Sequence, residues 1–152
     1  MGAVYFYHLT REPLEQVLPV LAQKSLQAGW RVAVRGPDRQ RLQWLDEKLW
    51  LLSDDSFLPH GLAGGSHDAM QPILLTDQAD AANQPDCVLA IDGSAVEADE
   101  VEQMQRVSII FDGNDPAALD RARQQWKELT AAGCAAQYWS QESGAWEMKA
   151  QR

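Results

Sequence analysis

The spacing of hydrophobic and polar residues changes several times along this chain. A continuous apolar and aromatic run, Ala3 to Leu9, is typical of a buried strand. After Pro13, apolar residues recur at intervals of three and four, which predicts a helix that ends at Gly29. Pro19 lies inside this pattern, and we expect it to kink the helix or to delay its start. The chain therefore begins with a strand followed by a helix.

The middle of the chain alternates short apolar runs with a helix and two polar segments. A second helix is predicted from about Arg39 to Leu52. Residues 53–65 contain Asp, Pro and Gly without any period, so we interpret them as a loop, and the hydrophilic residues 77–86 as a surface loop. Three apolar runs predict strands: Trp30–Val34, Pro72–Thr76 and Cys87–Ile91.

The last third of the chain predicts two helices, a strand and a hairpin. The longer helix, Pro116 to Ala132, has Asp115 as its N-cap, and Gly133 ends it. The turn residues 143–144 suit a β-hairpin. The remaining predicted elements are a short acidic helix at Glu97–Arg106, a strand at Val107–Phe111, and hairpin strands at Ala135–Glu142 and Ala145–Lys149.

Strands that alternate with helices imply a mostly parallel sheet covered on both faces. The pattern predicts an α/β fold, a three-layer αβα, Rossmann-like, doubly wound sheet with an antiparallel hairpin at the C-terminus. A chain of 152 residues has the size of one domain, so we expect residues 1–152 to form a single domain.

The charge balance changes which partners we expect. The chain has 13 Lys and Arg against 22 Asp and Glu, a formal net charge of −9. Broad binding to a phosphate backbone needs a basic face, so the composition argues against it. No apolar run has the length of a membrane span, and the first residues lack the features of a signal peptide. We therefore expect a cytoplasmic protein that does not enter a membrane.

Several kinds of catalytic or cofactor site lack their usual sequence motifs. The turn after the first strand contains no glycine, and neither nucleotide-binding glycine motif occurs. The three histidines lack metal-ligand spacing to one another. Cys87 and Cys134 are too few and too distant for a zinc cluster, and we interpret them as buried structural thiols.

One pair of acidic residues leaves an enzymatic alternative open. Asp92 and Asp112 each end an apolar strand and precede a glycine. Ligands of open α/β sheets bind at the carboxyl ends of strands, and two carboxylates there suit Mg²⁺ and phosphoryl transfer. The alternative interpretation is that each Asp-Gly pair is a strand-ending turn. Magnesium-dependent turnover that is lost on changing either aspartate would favour the enzyme.

The most recognisable motifs lie between residues 44 and 62. The sequence WLDEKLW at 44–50 is followed by SFLPHGL at 56–62. The run VYFYHL at 4–9, the glycine before WRVAV at 30–34, and a late helix with Arg, an aromatic residue and Lys follow in register. The chain resembles the χ (chi) subunit family of bacterial DNA polymerase III over nearly its whole length.

The resemblance implies a non-catalytic clamp-loader subunit that needs no cofactor. Members of the family bind the acidic, Pro-Phe-ending C-terminal tail of the single-stranded DNA-binding protein, and so contact nucleic acid through their partners. The tail-binding positions of the family match Arg123, Trp126 and Lys127 here, with Trp where the family usually has Tyr. An unrelated α/β scaffold without affinity for the tail remains a further alternative.

Helical geometry is consistent with that match. Arg123, Trp126 and Lys127 are one turn apart and share a helix face. Trp126 lies at the rim of the predicted buried arc, so a Phe ring could pack on it while carboxylates meet the two cations. The alternative is a rim Trp between two solvated charges. The predicted buried arc consists of Ala118, Ala122, Leu129 and Ala132.

The resemblance also implies a surface for a second partner. Trp50 and Phe57 match family positions that contact the psi subunit, or a helicase partner in some relatives. Pro59 and His60 belong to the same loop, where we expect His60 to fix the loop rather than to take part in chemistry. Large aromatic residues beside an irregular loop are plausible anchors of an interface, but they can equally be part of the core.

Overall fold

The computed structural model describes residues 2–51 and 58–152, and eight strands in these ranges form one sheet. In chain order the strands are β1 (Ala3–Leu9), β2 (Val32–Arg35), β3 (His60–Leu62), β4 (Ile73–Thr76), β5 (Cys87–Ile91), β6 (Arg106–Asp112), β7 (Ala135–Ser140) and β8 (Glu147–Gln151). Their order across the sheet is β3-β4-β2-β5-β6-β1-β7-β8. Neighbouring strands are parallel except β7 and β8, which form the antiparallel hairpin.

Helices pack on both faces of this sheet. They are α1 (Leu14–Gln27), α2 (Arg39–Trp50), α3 (Ala98–Gln103) and α4 (Pro116–Ala131), together with a short 3₁₀ helix at Asp68–Met70. Buried residues of α1 and α2 belong to one hydrophobic cluster, and those of α3 and α4 belong to a second cluster on the other side of the sheet. The predicted three-layer, doubly wound α/β fold with a C-terminal hairpin is confirmed.

Strand β3 lies within residues that we predicted to be loop, so that part of the prediction was wrong. Its three residues pair with β4, with His60 opposite Ile73 and Leu62 opposite Leu75. Three residues that include a glycine carry no detectable period, and their strand conformation depends on the neighbouring strand. The same region also contains residues 52–57, which lie outside the described residues.

Pro19 neither delays nor divides the first helix. Helix α1 begins at Leu14 and runs as one element through Pro19 to Gln27. Pro19 is buried, and its missing N–H leaves the carbonyl of Glu15 without the usual helical donor. Gly29 follows the helix in the left-handed region, at φ 86°, which explains why the helix ends there.

Asn83 and Cys87 are two buried side chains, one in a polar segment and one at the start of β5. Asn83 belongs to the predicted surface loop 77–86, but it is buried, and its amide donates to the carbonyls of Val32 and Gln71, each at 3.0 Å. The polar composition of the loop concealed this structural role. Cys87 is buried and forms no disulfide, as we predicted for both cysteines, and burial raises its pKa to about 11.

Among the described residues, no helix is both long and apolar enough to cross a membrane.

Candidate functional site

Helix α4 is held at both ends by local interactions. The Asp115 side chain accepts a hydrogen bond from the backbone N–H of Ala117 at 3.1 Å, which is the predicted N-cap. Pro116 occupies the first helical position, where its missing N–H costs nothing. Gly133 follows the helix with φ 91°, a conformation that favours glycine. These local signals place the helix start where the sequence predicted it.

The buried face of α4 differs in part from the predicted arc. Ala122 and Leu129 are buried as predicted, whereas Ala118 is only partly buried and Ala132, which follows the end of the helix, is exposed. Gln125 is buried, and its amide donates to the Ser94 carbonyl at 3.0 Å. On a helical wheel Gln125 lies beside Leu129, at the edge of the buried face. Its position could have revealed its burial, but its polar side chain concealed it.

Trp126 lies at the rim of this buried face, against other aromatic residues. Its ring centre is 5.3 Å from that of Phe6 and 5.9 Å from that of Tyr138, both in edge-to-face geometry. Each such pair stabilises the folded state by about 1 kcal/mol in addition to the contribution from burying its apolar area. The ring is partly buried, so one part of it is fixed by the sheet and another part remains accessible.

The two cations predicted for the site lie beside this ring. Arg123 and Lys127 are both exposed, one turn apart on α4. Burial raises the pKa of the Tyr138 phenol, and the positive charge of Arg123 opposes that rise, so Arg123 is close to Tyr138. The structure therefore brings together one aromatic surface and two accessible cations.

The aromatic layer below Trp126 is fixed by a hydrogen bond. The Tyr138 hydroxyl lies 2.9 Å from Nδ1 of His8, which is buried. The His8 ring is 5.1 Å from that of Phe111, and a Cβ at Gly113 would overlap it. Tyr138 comes from β7 and His8 from β1, which pair in parallel. Sequence reasoning missed these supporting residues, because only the strand register brings them together.

Trp50 and His60 are in contact at the end of α2. Trp50 is 52% exposed, and its ring centre lies 4.2 Å from that of His60. His60 is buried, with Nδ1 2.7 Å from the Leu58 carbonyl and Nε2 3.1 Å from the Asp46 carbonyl. These contacts join α2 to the segment before β3, in agreement with the expected role of His60 in fixing the loop.

The remaining predicted residues of this second surface are Pro59 and Phe57. Pro59 is partly buried beside His60 in the sequence, whereas Phe57 lies outside the described residues. The exposure of Trp50 shows that its ring is at the surface rather than in the core. Because α2 and α4 pack on opposite faces of the sheet, the Trp50 and Trp126 surfaces are separate.

The comparison with known families agrees with these features. The family model described as "DNA polymerase III chi subunit, HolC" matches residues 1–137. The chain belongs to the DNA polymerase III chi subunit family. The resemblance inferred from the motifs is thereby confirmed, and the match includes both α2 and α4 of this chi-family chain.

A curated relative carries a similar description. It is the "Probable DNA polymerase III subunit chi" of Rickettsia prowazekii (strain Madrid E), which is 26% identical over 85 residues. The aligned part covers 56% of this chain and 52% of the relative. The chi-family chain therefore aligns with about half the length of this relative.

The carboxylates of the enzymatic alternative have local partners in this chi-family chain. The Arg41 guanidinium lies 3.3 Å from Asp92, and Asp112 accepts a hydrogen bond from the backbone N–H of Asn114 at 2.9 Å. Both aspartates line a cavity of about 850 Å³ at the carboxyl ends of the strands. Within residues 2–51 and 58–152, no group of three or more Asp, Glu, His or Cys side chains could hold a metal ion. The geometry favours strand-ending turns.

Proposed function

We propose that this chi-family chain is a non-catalytic accessory subunit of the DNA polymerase III clamp loader in the cytoplasm. In this proposal it binds the acidic C-terminal tail of the single-stranded DNA-binding protein through α4 and joins the replisome through psi. It contacts nucleic acid only through these partners. The observation that carries the proposal is the partly exposed ring of Trp126 beside the exposed cations Arg123 and Lys127.

The α4 surface has the chemistry that such a tail requires. An aromatic side chain that ends the tail can pack on Trp126, whose ring is already oriented by Phe6 and Tyr138. The terminal carboxylate and the preceding acidic side chains can pair with Arg123 and Lys127. Because the ring is held before the tail arrives, binding orders few protein side chains.

The first prediction concerns the affinity of this surface for the tail. A free-carboxylate tail peptide should bind with a micromolar dissociation constant, which corresponds to about −8 kcal/mol. Trp126→Ala should weaken binding by roughly 2 kcal/mol, because it removes the apolar anchor. Arg123→Ala and Lys127→Ala should each cost less, about 0.5 to 1 kcal/mol, and their effects should shrink as salt rises. Isothermal titration calorimetry at two salt concentrations measures all three.

A control on the same helix separates the site from the general charge of α4. Arg121 is exposed and lies two positions before Arg123, so it points to a different side of the helix. Arg121→Ala should bind the tail as the wild type does, and amidating the peptide or deleting its last Phe should weaken binding sharply. Wild-type affinity in folded Arg123→Ala, Trp126→Ala and Lys127→Ala variants would show that the tail binds elsewhere.

We further propose that Trp50, Phe57, Pro59 and His60 form the surface for psi or for an alternative clamp-loader or helicase partner. Trp50 supports this proposal, because it exposes about half of a large ring next to a rigid histidine. His60 contacts the backbone carbonyls of Leu58 and of Asp46 in α2, so its ring is held beside Trp50 before a partner binds.

The second prediction tests this surface. Replacing Trp50 and Phe57 together by Ala should impair binding of psi or a helicase-type partner far more than binding of the tail peptide, because the rings anchor only the former. Pull-downs with each partner measure the difference. Leu51→Ala is the control, since Leu51 is adjacent, apolar and 77% exposed. Equal loss of both partners, or loss of folding, would show that the double substitution disturbs the fold rather than this surface alone.

A further inference from the structure

A groove without an assigned role lies on the face of the sheet opposite α4. It has a volume of about 720 Å³ and runs between α1 and the C-terminal hairpin. Its floor includes Tyr7 of β1 and Arg106 of β6, which belong to neighbouring strands. This volume is within the range of pockets that hold a small ligand or a few side chains.

Apolar side chains lie on both walls of the groove. Val20, on the α1 side, is 50% exposed although it is a large hydrophobic residue. On the hairpin side lie Trp139 and Trp146, both partly buried. Trp146 packs edge-on against Tyr7, with ring centres 5.3 Å apart. These side chains offer aromatic edges and a methyl surface to whatever occupies the groove.

A cation lies at the floor of the groove. The Arg106 guanidinium carbon lies 4.1 Å from the centre of the Tyr5 ring and 5.2 Å from that of Trp30. Across the described ranges 2–51 and 58–152, this guanidinium makes no side-chain hydrogen bond and no ion pair. These two rings hold the guanidinium in place and orient its N–H donors. A carboxylate that reaches this guanidinium can form charge-assisted hydrogen bonds with it.

A second cation lies on the wall of the groove. Lys24 belongs to the last turn of α1 and lines the same cavity as Arg106. At the other end lies Glu12, whose carboxylate already accepts a hydrogen bond from the Gln141 amide at 3.0 Å. The two cations outnumber this carboxylate, so the lining of the groove carries a net positive charge although the whole chain has a net charge of −9.

We propose that this groove is a second peptide-binding site, which takes a short acidic segment of a partner protein that also carries one large apolar side chain. A carboxylate of the segment pairs with Arg106 and another with Lys24, while the apolar side chain packs between Val20 and Trp146. A nucleic acid strand fits less well, because its continuous row of phosphates would meet only two cations on an acidic chain.

The site is independent of the one on α4. The two surfaces lie on opposite faces of the sheet, so a segment can occupy the groove while α4 is free or occupied. The acidic, Pro-Phe-ending tail peptide has the required chemistry and is the probe. The choice of this probe rests on the proposed function, but binding of an acidic peptide to the groove does not depend on it.

Fluorine NMR of protein labelled with fluorotryptophan distinguishes the two sites, because Trp126 reports on α4, and Trp139 and Trp146 report on the groove. Resonances are assigned with Trp→Phe variants. In the Trp126→Ala background, the tail peptide should shift the Trp146 resonance in a saturable way. Val20→Glu places a negative charge in the groove, which repels the acidic peptide, and should weaken this binding about fivefold. Val20→Lys places a positive charge there and should preserve or strengthen the binding. Val20 is exposed, so both variants should fold.

A second peptide has the acidic residues of the tail changed to amides. Its affinity for the groove of the protein with Val20 should be as low as the affinity of the unchanged tail peptide for the Val20→Glu variant. An unmoved Trp146 resonance, or equal affinities for Val20→Glu and Val20→Lys, overturns the proposal. A shift of Trp146 by a thymidine oligonucleotide but not by the peptide also overturns it, in favour of a nucleic acid surface. If the peptide shifts the Trp146 resonance of the wild type but not the Trp126 resonance, the groove site is supported and the proposed α4 site is wrong. If it shifts the Trp126 resonance but not the Trp146 resonance, the α4 site is supported and the groove site is wrong.

Discussion

Tyr7 shows how the fold changes the chemistry of a single residue. Its ring lies on the floor of the groove, edge-on to Trp146. Burial raises the pKa of the Tyr7 phenol to about 12, although the nearby positive charge of Arg106 opposes this change. In an unfolded chain the pKa is about 10. The folded protein therefore holds this proton more tightly than the unfolded chain does.

The third prediction follows from that difference at alkaline pH. Between about pH 10 and pH 12 the folded state binds more protons than the unfolded state, so the free energy of unfolding falls as pH rises. Tyr7→Phe has no phenol to ionise. When the pH rises from about 9 to about 11, the free energy of unfolding should therefore fall by about 1 kcal/mol less in Tyr7→Phe than in the wild type.

Urea denaturation at several pH values measures this effect. Each protein is compared with its own stability at neutral pH, which removes the effect of the missing hydroxyl on packing. Parallel curves for the two proteins across the alkaline range would contradict the assigned burial of the phenol.

Helix α3 shows how a short element depends on contacts outside itself. Six residues are too few for a helix that is stable alone in water. Val101 is fully buried in the cluster shared with α4, and Glu100 forms a bidentate pair with Arg35 of β2, at 2.5 and 2.6 Å. Arg35 is buried and also donates to the Ala95 carbonyl. The pair joins one helix layer to the middle of the sheet.

The fourth prediction is that Glu100→Ala lowers the free energy of unfolding by roughly 3 kcal/mol, because it leaves the buried Arg35 charge without its partner. Glu102→Ala on the same helix should cost less than about 0.5 kcal/mol, since Glu102 is exposed. Replacing both partners, as Arg35→Met with Glu100→Leu, should recover part of the loss. Urea unfolding measures the three variants, and equal losses for the two glutamates would contradict the interpretation.

The charge of the whole molecule limits what its local cations can do. Arg123 and Lys127, or Arg106 and Lys24, are pairs of cations on a chain whose net charge is −9. At physiological salt the screening length is about 8 Å, so a short acidic peptide interacts mainly with the cations that it touches. A long polyanion also meets the acidic remainder of the surface. Short acidic segments are therefore favoured over nucleic acid.

The fifth prediction is that the isolated chain shows no saturable binding to a labelled single-stranded DNA oligonucleotide at physiological salt. Fluorescence anisotropy measures this directly, and the tail peptide under the same conditions is the positive control. Binding whose affinity falls steeply with rising salt would reveal counterion release by a basic face, contrary to the charge argument.

Much of the fold was determined by local properties of the sequence. The bounds of β1 and β5, the start of α4 and its Asp115 cap were all predicted, because period, capping and turn chemistry act between near neighbours. The shared face of Arg123, Trp126 and Lys127 likewise follows from helical spacing. The family resemblance added the expected partners, which no period or spacing contains.

Only the tertiary structure decided the remaining features. Strand β3 exists because β4 is beside it, and Trp126 is oriented because β1 and β7 place Phe6 and Tyr138 under it. The groove over Tyr7 combines α1, β6 and the hairpin, which are far apart in the sequence. Such features depend on strand order and register across the sheet, and these are set by the packing of the whole chain rather than by any local segment.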